Sequence, residues 1–184
     1  MTALAPTLDR ECTAEQAVAL INSHTRVFLS GNCAVPQCLL AALVARAQSL
    51  TGVEIVQVLS VGKTDYVGPE LAGHLRVNTL FISENVRAAV NNGQADFTPC
   101  LLSEIPGLFT SGRLPLDVAL IQVAPPDEHG FCSFGVEVGV TKPAAQAARL
   151  VIAEVNPNMP RTLGDSFIHI SHIDALVPVN YPLP

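Results

Sequence analysis

The segment APPDEHGFCSFG, residues 124–135, brings together side chains that commonly transfer protons. It follows the apolar run DVALIQV, so two prolines and a polar turn stand at the end of a predicted buried strand. Asp127 and His129 are two residues apart, and this spacing suits an acid–base pair or a hydrogen-bonded turn that Gly130 completes. Two interpretations stay open: a catalytic pair, or a turn that Asp127 and His129 hold in shape beside a pocket.

Glu104 is the best functional candidate among the acids outside that segment. It lies in the stretch SEIPG, in a largely uncharged neighbourhood where Pro106 restricts the backbone. A carboxylate in such surroundings can act as a nucleophile or a general base. It can equally cap a helical turn or form an ion pair, and the sequence leaves these roles open.

Cysteine and histidine supply two further groups of candidates. Cys33 and Cys38 suggest a nucleophile, Cys33 more so because a thiolate is favoured near a predicted helix start. No base can be assigned to either, however, and cysteine also packs well as a small apolar residue. His169, His172 and Asp174 are close in sequence, but on an extended strand the two histidines face opposite sides, so we predict no metal site.

Alternating strands and helices position these residues. RVFLS is a predicted strand, residues 36–50 a helix and VEIVQVL the next strand, which together predict a parallel pair with a right-handed crossover. Thr13 and Gln16 are spaced as a capping box for an earlier helix. We expect SFGVEVGV to form a further strand, at an edge or antiparallel. The alternation predicts a three-layer α/β domain with a mostly parallel, mixed sheet.

The loop SGNCAVP joins the carboxyl end of a predicted strand to the start of a helix. Ligands bind at this place in open α/β sheets. Small side chains let a substrate approach the backbone, and free N–H groups at the helix start favour an anion such as a carboxylate or phosphate. The sequence also suits a plain tight turn, and it matches neither the P-loop nor the GxGxxG pattern.

Composition excludes several classes of function. The 184 residues include 10 basic and 16 acidic side chains, with no basic stripe, so we expect no nucleic-acid binding. Residues 27–45 are uncharged, but Gly31 and Pro36 interrupt them, which argues against a membrane span. The five cysteines form no CxxC pair and no secretory signal precedes them, so we predict a cytoplasmic protein with reduced thiols. The mean hydropathy of +0.38 predicts apolar surface that meets another subunit or domain.

Five stretches, in order over nearly the whole chain, carry a resemblance to a known family: TAEQAVALI, GNCAVPQCLLAAL, LFISENVRAAVNNGQADFTPCLLSEIP, LPLDVALIQVAPPDEHGFCSFGVEVGVT and VIAEVNPNMPRTLGDSFIHISHID. They resemble the acetyl-CoA hydrolase/transferase family, which includes the 4-hydroxybutyrate and acetate CoA-transferases. The chain departs from the family's usual residues at His24, Thr25 and Ala124. It also lacks, at Gly31, the polar side chain of some 4-hydroxybutyrate-type relatives.

The resemblance implies a CoA-transferase-like fold and the movement of CoA between short-chain carboxylic acids. Acyl-CoA is then a substrate, and no cofactor is bound tightly. Family members have two similar α/β domains, and the glutamate that attacks the thioester lies in the second. Residues 1–184 are therefore expected to be a single amino-terminal domain, with no catalytic residue and no activity alone. The implied partners are a carboxyl-terminal catalytic domain and, for the full enzyme, a second copy in a homodimer.

We expect the loops at the strand ends to form one wall of the acyl or carboxylate pocket, facing the second domain. The expected wall residues are Ser30, Gly31, Asn32, Cys33, Ala34, Val35, Pro36, Glu104, Pro126, Asp127, His129 and Gly130. Two alternatives compete with this function. One is a stand-alone enzyme of the same fold that acts on a sugar phosphate or a thioester through Glu104 or His129. The other is a non-catalytic binding or assembly module.

Overall fold

The computed structural model describes residues 10–62 and 65–184. Within them, strands β1 to β9 cover, in chain order, Arg26–Leu29, Val53–Gln57, Leu75–Thr79, Asp96–Phe97, Val118–Val123, Phe131–Ser133, Leu150–Val155, Phe167–His169 and Ala175–Pro178. Helices α1 to α5 cover Ala14–Val18, Gln37–Arg46, Glu84–Asn91, Ile105–Thr110 and Thr141–Ala147. Short 3-10 turns cover Ala47–Ser49, Pro69–Leu71, Leu102–Glu104 and Ile170–His172.

Seven strands form one sheet in the order β4-β3-β2-β1-β5-β7-β9, and every neighbouring pair is parallel. The predicted unit of β1, α2 and β2 is confirmed, with β1 and β2 side by side. Strands β6 and β8 pair antiparallel in a separate two-stranded ribbon, so the main sheet itself is wholly parallel and not mixed. Because all parallel strands end at the same edge, the loops that follow them come together there.

Apolar side chains on the two faces of the sheet form two cores, which confirms the predicted three-layer α/β domain. On β1, Val27 and Leu29 join the core beneath α1, α2 and α3, whereas Phe28 joins the core beneath α4, α5 and the ribbon. The Phe28 ring meets the edge of Phe109 on α4, with 5.6 Å between the ring centroids. Strand β5 is buried along its whole length, as expected for a parallel strand covered on both faces.

Local predictions are confirmed where the controlling residues are neighbours in sequence. The capping box forms, with the Thr13 hydroxyl accepting from the Gln16 N–H at 3.2 Å and the Gln16 side chain accepting from the Thr13 N–H at 3.0 Å. Pro106 lies in the first turn of α4 and does not interrupt a helix, because the first turn needs no N–H from that position.

The prediction of a strand over residues 133–140 is wrong. The strand β6 ends at Ser133, and a loop of turns follows as far as α5. Gly135 has a φ of +64°, and a Cβ on it would lie 2.2 Å from the Met159 sulfur. A strand residue has a negative φ, so the chain turns away from the ladder here.

The uncharged segment 27–45 folds as most of β1, a loop and nearly all of α2. In the part of the chain that the structure describes, no helix combines the length and the apolar character needed to cross a bilayer.

Candidate functional site

A cleft of about 780 Å³ opens at the carboxyl ends of β1 and β2, and we call it the strand-end cleft. Four loops surround it: the loops after β1 and β2, the turn before α4, and the loop between β6 and α5. The lining residues are Phe28, Leu29, Gly31, Asn32, Val58, Leu59, Leu101, Leu102, Ser103, Pro106, Val136, Glu137, Val138, Gly139 and Val140.

The loops after β1 and β2 touch at the floor of the cleft. The backbone N–H of Asn32 donates to the carbonyl oxygen of Leu59 at 2.6 Å. A Cβ on Gly31 would lie 2.2 Å from that same oxygen, so only glycine permits this approach. Asn32 has a φ of +49°, in the left-handed region that asparagine tolerates better than most residues.

The polar side chains in the cleft are few. Asn32 donates its side-chain N–H to the carboxylate of Glu137, which is half-buried on the loop between β6 and α5. Ser103 also lines the cleft, whereas Ser30 is buried beneath it with its hydroxyl 3.4 Å from that of Thr141. The other lining residues are apolar or glycine, so the cleft suits a small, largely apolar group.

Of the two interpretations left open for the loop SGNCAVP, the structure favours the tight turn, because side chains of the protein already bind N–H groups at the start of α2. The buried carboxylate of Glu154, on β7, accepts from the Leu39 N–H at 2.7 Å. The Tyr181 hydroxyl accepts from the Gln37 N–H at 3.2 Å and donates to Glu154. The negative charge that the helix start favours is therefore supplied from within the chain.

A buried polar network extends from this carboxylate to the loop after β1. Gln122 donates to the Val35 carbonyl at 3.1 Å and to the Tyr181 hydroxyl at 2.7 Å, and Asn156 donates to Gln122 at 3.1 Å. Burial raises the pKa of Glu154, and burial and the nearby carboxylate raise the pKa of Tyr181. One indication of this network is present in the sequence, the single acid in the apolar run VIAEVN. A carboxylate on a buried strand requires a hydrogen-bonding partner.

Glu104 caps the turn in front of α4. Its carboxylate accepts from the Leu101 N–H at 3.0 Å, and its side chain is exposed. The neighbouring Ser103 and Pro106 line the cleft, but Glu104 does not. The structure thus places Glu104 beside the cleft in the capping role that the sequence left open.

The segment around Asp127 forms a rigid turn. The Asp127 carboxylate accepts from the N–H groups of His129 and Phe131, both at 2.9 Å, and it pairs with Arg161. These contacts, led by the Phe131 N–H, lower the pKa of Asp127. Gly130, with a φ of +82°, completes the turn, as its sequence position suggested.

His129 takes part in this turn through its backbone. Its carbonyl oxygen accepts from His169 at 3.1 Å, whereas its imidazole is 75% exposed and 3.6 Å from Glu128. Pro126 and the rest of the turn, Asp127 to Gly130, lie outside the lining of the strand-end cleft. Arg161, which binds Asp127 across 34 positions, was missed because nothing in the sequence signals so distant a partner.

Cys33 and Ala34 lie in the loop after β1, and Cys38 lies in the first turn of α2. Ala34 is buried against Ala124 and Met159, and Cys33 is half-buried. Cys38 is exposed, and partial burial and then the charge of Glu154 raise the pKa of its thiol. A raised pKa keeps the Cys38 thiol protonated, which opposes its use as a nucleophile.

His169, His172 and Asp174 do not converge. His169 bonds to the Ser171 hydroxyl at 2.8 Å, and Asp174 accepts from the Val151 N–H at 2.8 Å. Over residues 10–62 and 65–184, no three His, Cys, Asp or Glu side chains form a group that could hold a metal ion.

Residues 8–181 match the protein family described as "Acetyl-CoA hydrolase/transferase N-terminal domain". The chain is 52% identical to the 4-hydroxybutyrate coenzyme A transferase of Clostridium kluyveri over 171 residues, which cover 93% of this chain and 40% of the relative. The curated relatives that it matches are thus more than twice as long as the part it spans.

Two solved structures have the same fold. The 4-hydroxybutyrate CoA-transferase of Porphyromonas gingivalis superposes with a TM-score of 0.82 at 32% identity, over 96% of this chain and 41% of that one. RipA of Yersinia pestis superposes with a TM-score of 0.87 at 28% identity, over 96% and 43%. From the match over residues 8–181 and these likenesses, the chain belongs to the acetyl-CoA hydrolase/transferase family and corresponds to its amino-terminal domain.

Proposed function

We propose that this chain supplies one wall of the active site of a CoA-transferase that moves CoA between short-chain carboxylic acids. The observation that carries the proposal is the strand-end cleft, an apolar pocket at the edge where open α/β sheets bind ligands. The cleft would hold the acyl group. The relative from Clostridium kluyveri, named a 4-hydroxybutyrate coenzyme A transferase, supports a four-carbon acid as a substrate.

The reaction needs a glutamate that is free to attack a thioester, and the three glutamates near the cleft and the start of α2 each have a partner. In ping-pong transfer, a glutamate carboxylate attacks the acyl-CoA thioester and displaces the CoA thiolate, which gives an acyl-glutamyl anhydride. The CoA thiolate then attacks the glutamyl carbonyl of the anhydride, releases the donor carboxylate and leaves a glutamyl-CoA thioester. Glu104 caps a turn, Glu137 binds Asn32, and Glu154 caps α2. We therefore place the nucleophile in a carboxyl-terminal catalytic domain, and expect this chain to be inactive alone.

Backbone N–H groups of the loops around the cleft would help to stabilise the oxyanion of the tetrahedral intermediate. Among the described residues, no lysine or arginine lines the cleft to bind the CoA phosphates. The second domain would supply these positive side chains. CoA then acts as a substrate in a cytoplasmic enzyme, without a tightly bound cofactor.

Exposed leucines beside the cleft support a covering domain. Leu101 and Leu102 are 67% and 68% exposed, and Val136 on the opposite loop is 45% exposed. Clustered apolar side chains of this size favour a partner surface over water. We propose that the catalytic domain covers this face and that the full enzyme is a homodimer.

The test is an assay of CoA transfer from acetyl-CoA to a short carboxylate. The chain is assayed alone and with the remaining part of the Clostridium kluyveri relative, purified separately. We expect turnover only from the mixture, and the Glu104→Gln variant to retain it. Turnover by the lone chain that Glu104→Gln abolishes would favour the stand-alone enzyme, and no turnover from a well-folded mixture would favour the binding module.

A further inference from the structure

The strand-end cleft presents one carboxylate to its occupant. Glu137 lines the cleft and is half-buried, and in the described part of the chain no lysine, arginine or histidine lines the cleft beside it. Its hydrogen-bonding partner is the neutral amide of Asn32. The negative charge of Glu137 therefore has no opposite charge on the walls of the cleft.

Neighbouring contacts fix the position of this carboxylate. Asn32 is held by its backbone bond to Leu59 at 2.6 Å, and its side chain in turn holds Glu137. At the start of the same loop, the Gly135 carbonyl accepts from the Thr162 hydroxyl at 3.0 Å. A charge held by a fixed partner on an anchored loop discriminates between ligands better than one on a mobile side chain.

We propose that Glu137 is a specificity-determining residue that selects acyl groups with a neutral far end, above all a hydroxyl group, and rejects dicarboxylates. The inference rests on the proposed function, since it takes the cleft as the acyl pocket. A dicarboxylate would bring a second carboxylate into the cleft. That group would lose its hydration and face the negative charge of Glu137, with no cation to compensate. A hydroxyl group would instead donate a charge-assisted hydrogen bond to Glu137.

The Glu137→Gln variant tests this directly, because it removes the charge and keeps an oxygen that can accept from Asn32. The variant is mixed with the remaining part of the Clostridium kluyveri relative, which gives the two-domain mixture. The kcat/KM of this mixture is measured for 4-hydroxybutyrate and for succinate as CoA acceptors. We expect the wild type to prefer the hydroxy acid, and Glu137→Gln to reduce that preference about tenfold, the effect of a partly screened like charge. Glu137→Asp keeps the charge and should keep the preference.

Glu128→Gln is the matched control, because Glu128 is an exposed acid on the turn outside the cleft. It should leave the ratio of the two acceptors unchanged. A ratio that is equal in the wild type and in an active Glu137→Gln variant would overturn the inference while leaving CoA transfer intact.

A binding experiment on the chain alone separates this inference from the proposed function. The side-chain amide of Asn32 is followed by nitrogen-15 NMR during titration with 4-hydroxybutyrate or succinate. We expect a saturable shift with the hydroxy acid in the wild type, and with succinate only in Glu137→Gln. This pattern without any CoA transfer would support the selectivity and refute the transferase, whereas no Asn32 response to either acid would overturn the selectivity.

Discussion

Replacing Tyr181 by phenylalanine removes one hydroxyl group from the buried network at the start of α2. That hydroxyl donates to Glu154, accepts from Gln122 at 2.7 Å and accepts from the Gln37 N–H at 3.2 Å. The aromatic ring stays, so packing changes little. The variant therefore isolates the contribution of three hydrogen bonds to the position of α2 and of the loop before it.

The expected cost follows from the state of the two side-chain partners, Gln122 and Glu154. A hydrogen bond to a charged group contributes about 1.5–3 kcal/mol, and a buried donor without a partner costs about 1–3 kcal/mol. Gln122 keeps the Val35 carbonyl at 3.1 Å, and Glu154 keeps the Leu39 N–H at 2.7 Å, so neither is left bare. We expect the free energy of unfolding to fall by about 2–4 kcal/mol.

Denaturant unfolding of the wild type, Tyr181→Phe, Glu154→Gln and the double variant measures this cost and its coupling. The two positions should couple by about 1 kcal/mol or more, because they share a hydrogen bond. Hydrogen exchange should show faster exchange at the Leu39 amide in both single variants. A loss below about 0.5 kcal/mol, the usual effect of a surface substitution, with no coupling would refute the role given to this network.

Three further predictions concern Gly31, the pH dependence of Glu154 and the pH dependence of Asp127. Gly31→Ala should lower the free energy of unfolding by about 1–3 kcal/mol in thermal unfolding, since its methyl group would lie 2.2 Å from the Leu59 oxygen. Burial raises the pKa of Glu154 above its ordinary 4.5, so the stability of the wild type relative to Glu154→Gln should be greatest below pH 4.5 and fall as pH rises through the folded pKa. The Phe131 N–H lowers the pKa of Asp127 below its ordinary 3.8, so the advantage over Asp127→Asn should be full above that pH and vanish in acid. Denaturant unfolding of each pair across pH measures both trends, and a slope of the opposite sign would contradict the assigned cause.

The fold follows from patterns that act over short distances. The run DVALIQV predicted β5 because a strand covered on both faces needs a continuous apolar sequence. The capping box at Thr13 formed because its two partners are three residues apart. The predicted strand over 133–140 does not form, because the backbone turns at Gly135, which lies against Met159, a residue distant in sequence.

The site was less predictable, because distant residues complete it. The start of α2 had the small residues of an anion site, but Glu154, 115 positions after Leu39, already occupies it. Glu137 was not a candidate, because its position in the cleft depends on Asn32, 105 positions earlier. The Asp127 turn was one of two interpretations that the sequence left open. Its carboxylate and two N–H donors lie within five residues, whereas its partner Arg161 is 34 positions away.

A crystal structure of the two-domain mixture with an acyl-CoA bound would test the central proposal most directly. The strand-end cleft should contain the acyl group, in contact with Asn32 and Leu101 and with its far end toward Glu137. An acyl group bound elsewhere in a preparation that transfers CoA, with the cleft empty or covered, would contradict the assignment of the cleft as the acyl pocket.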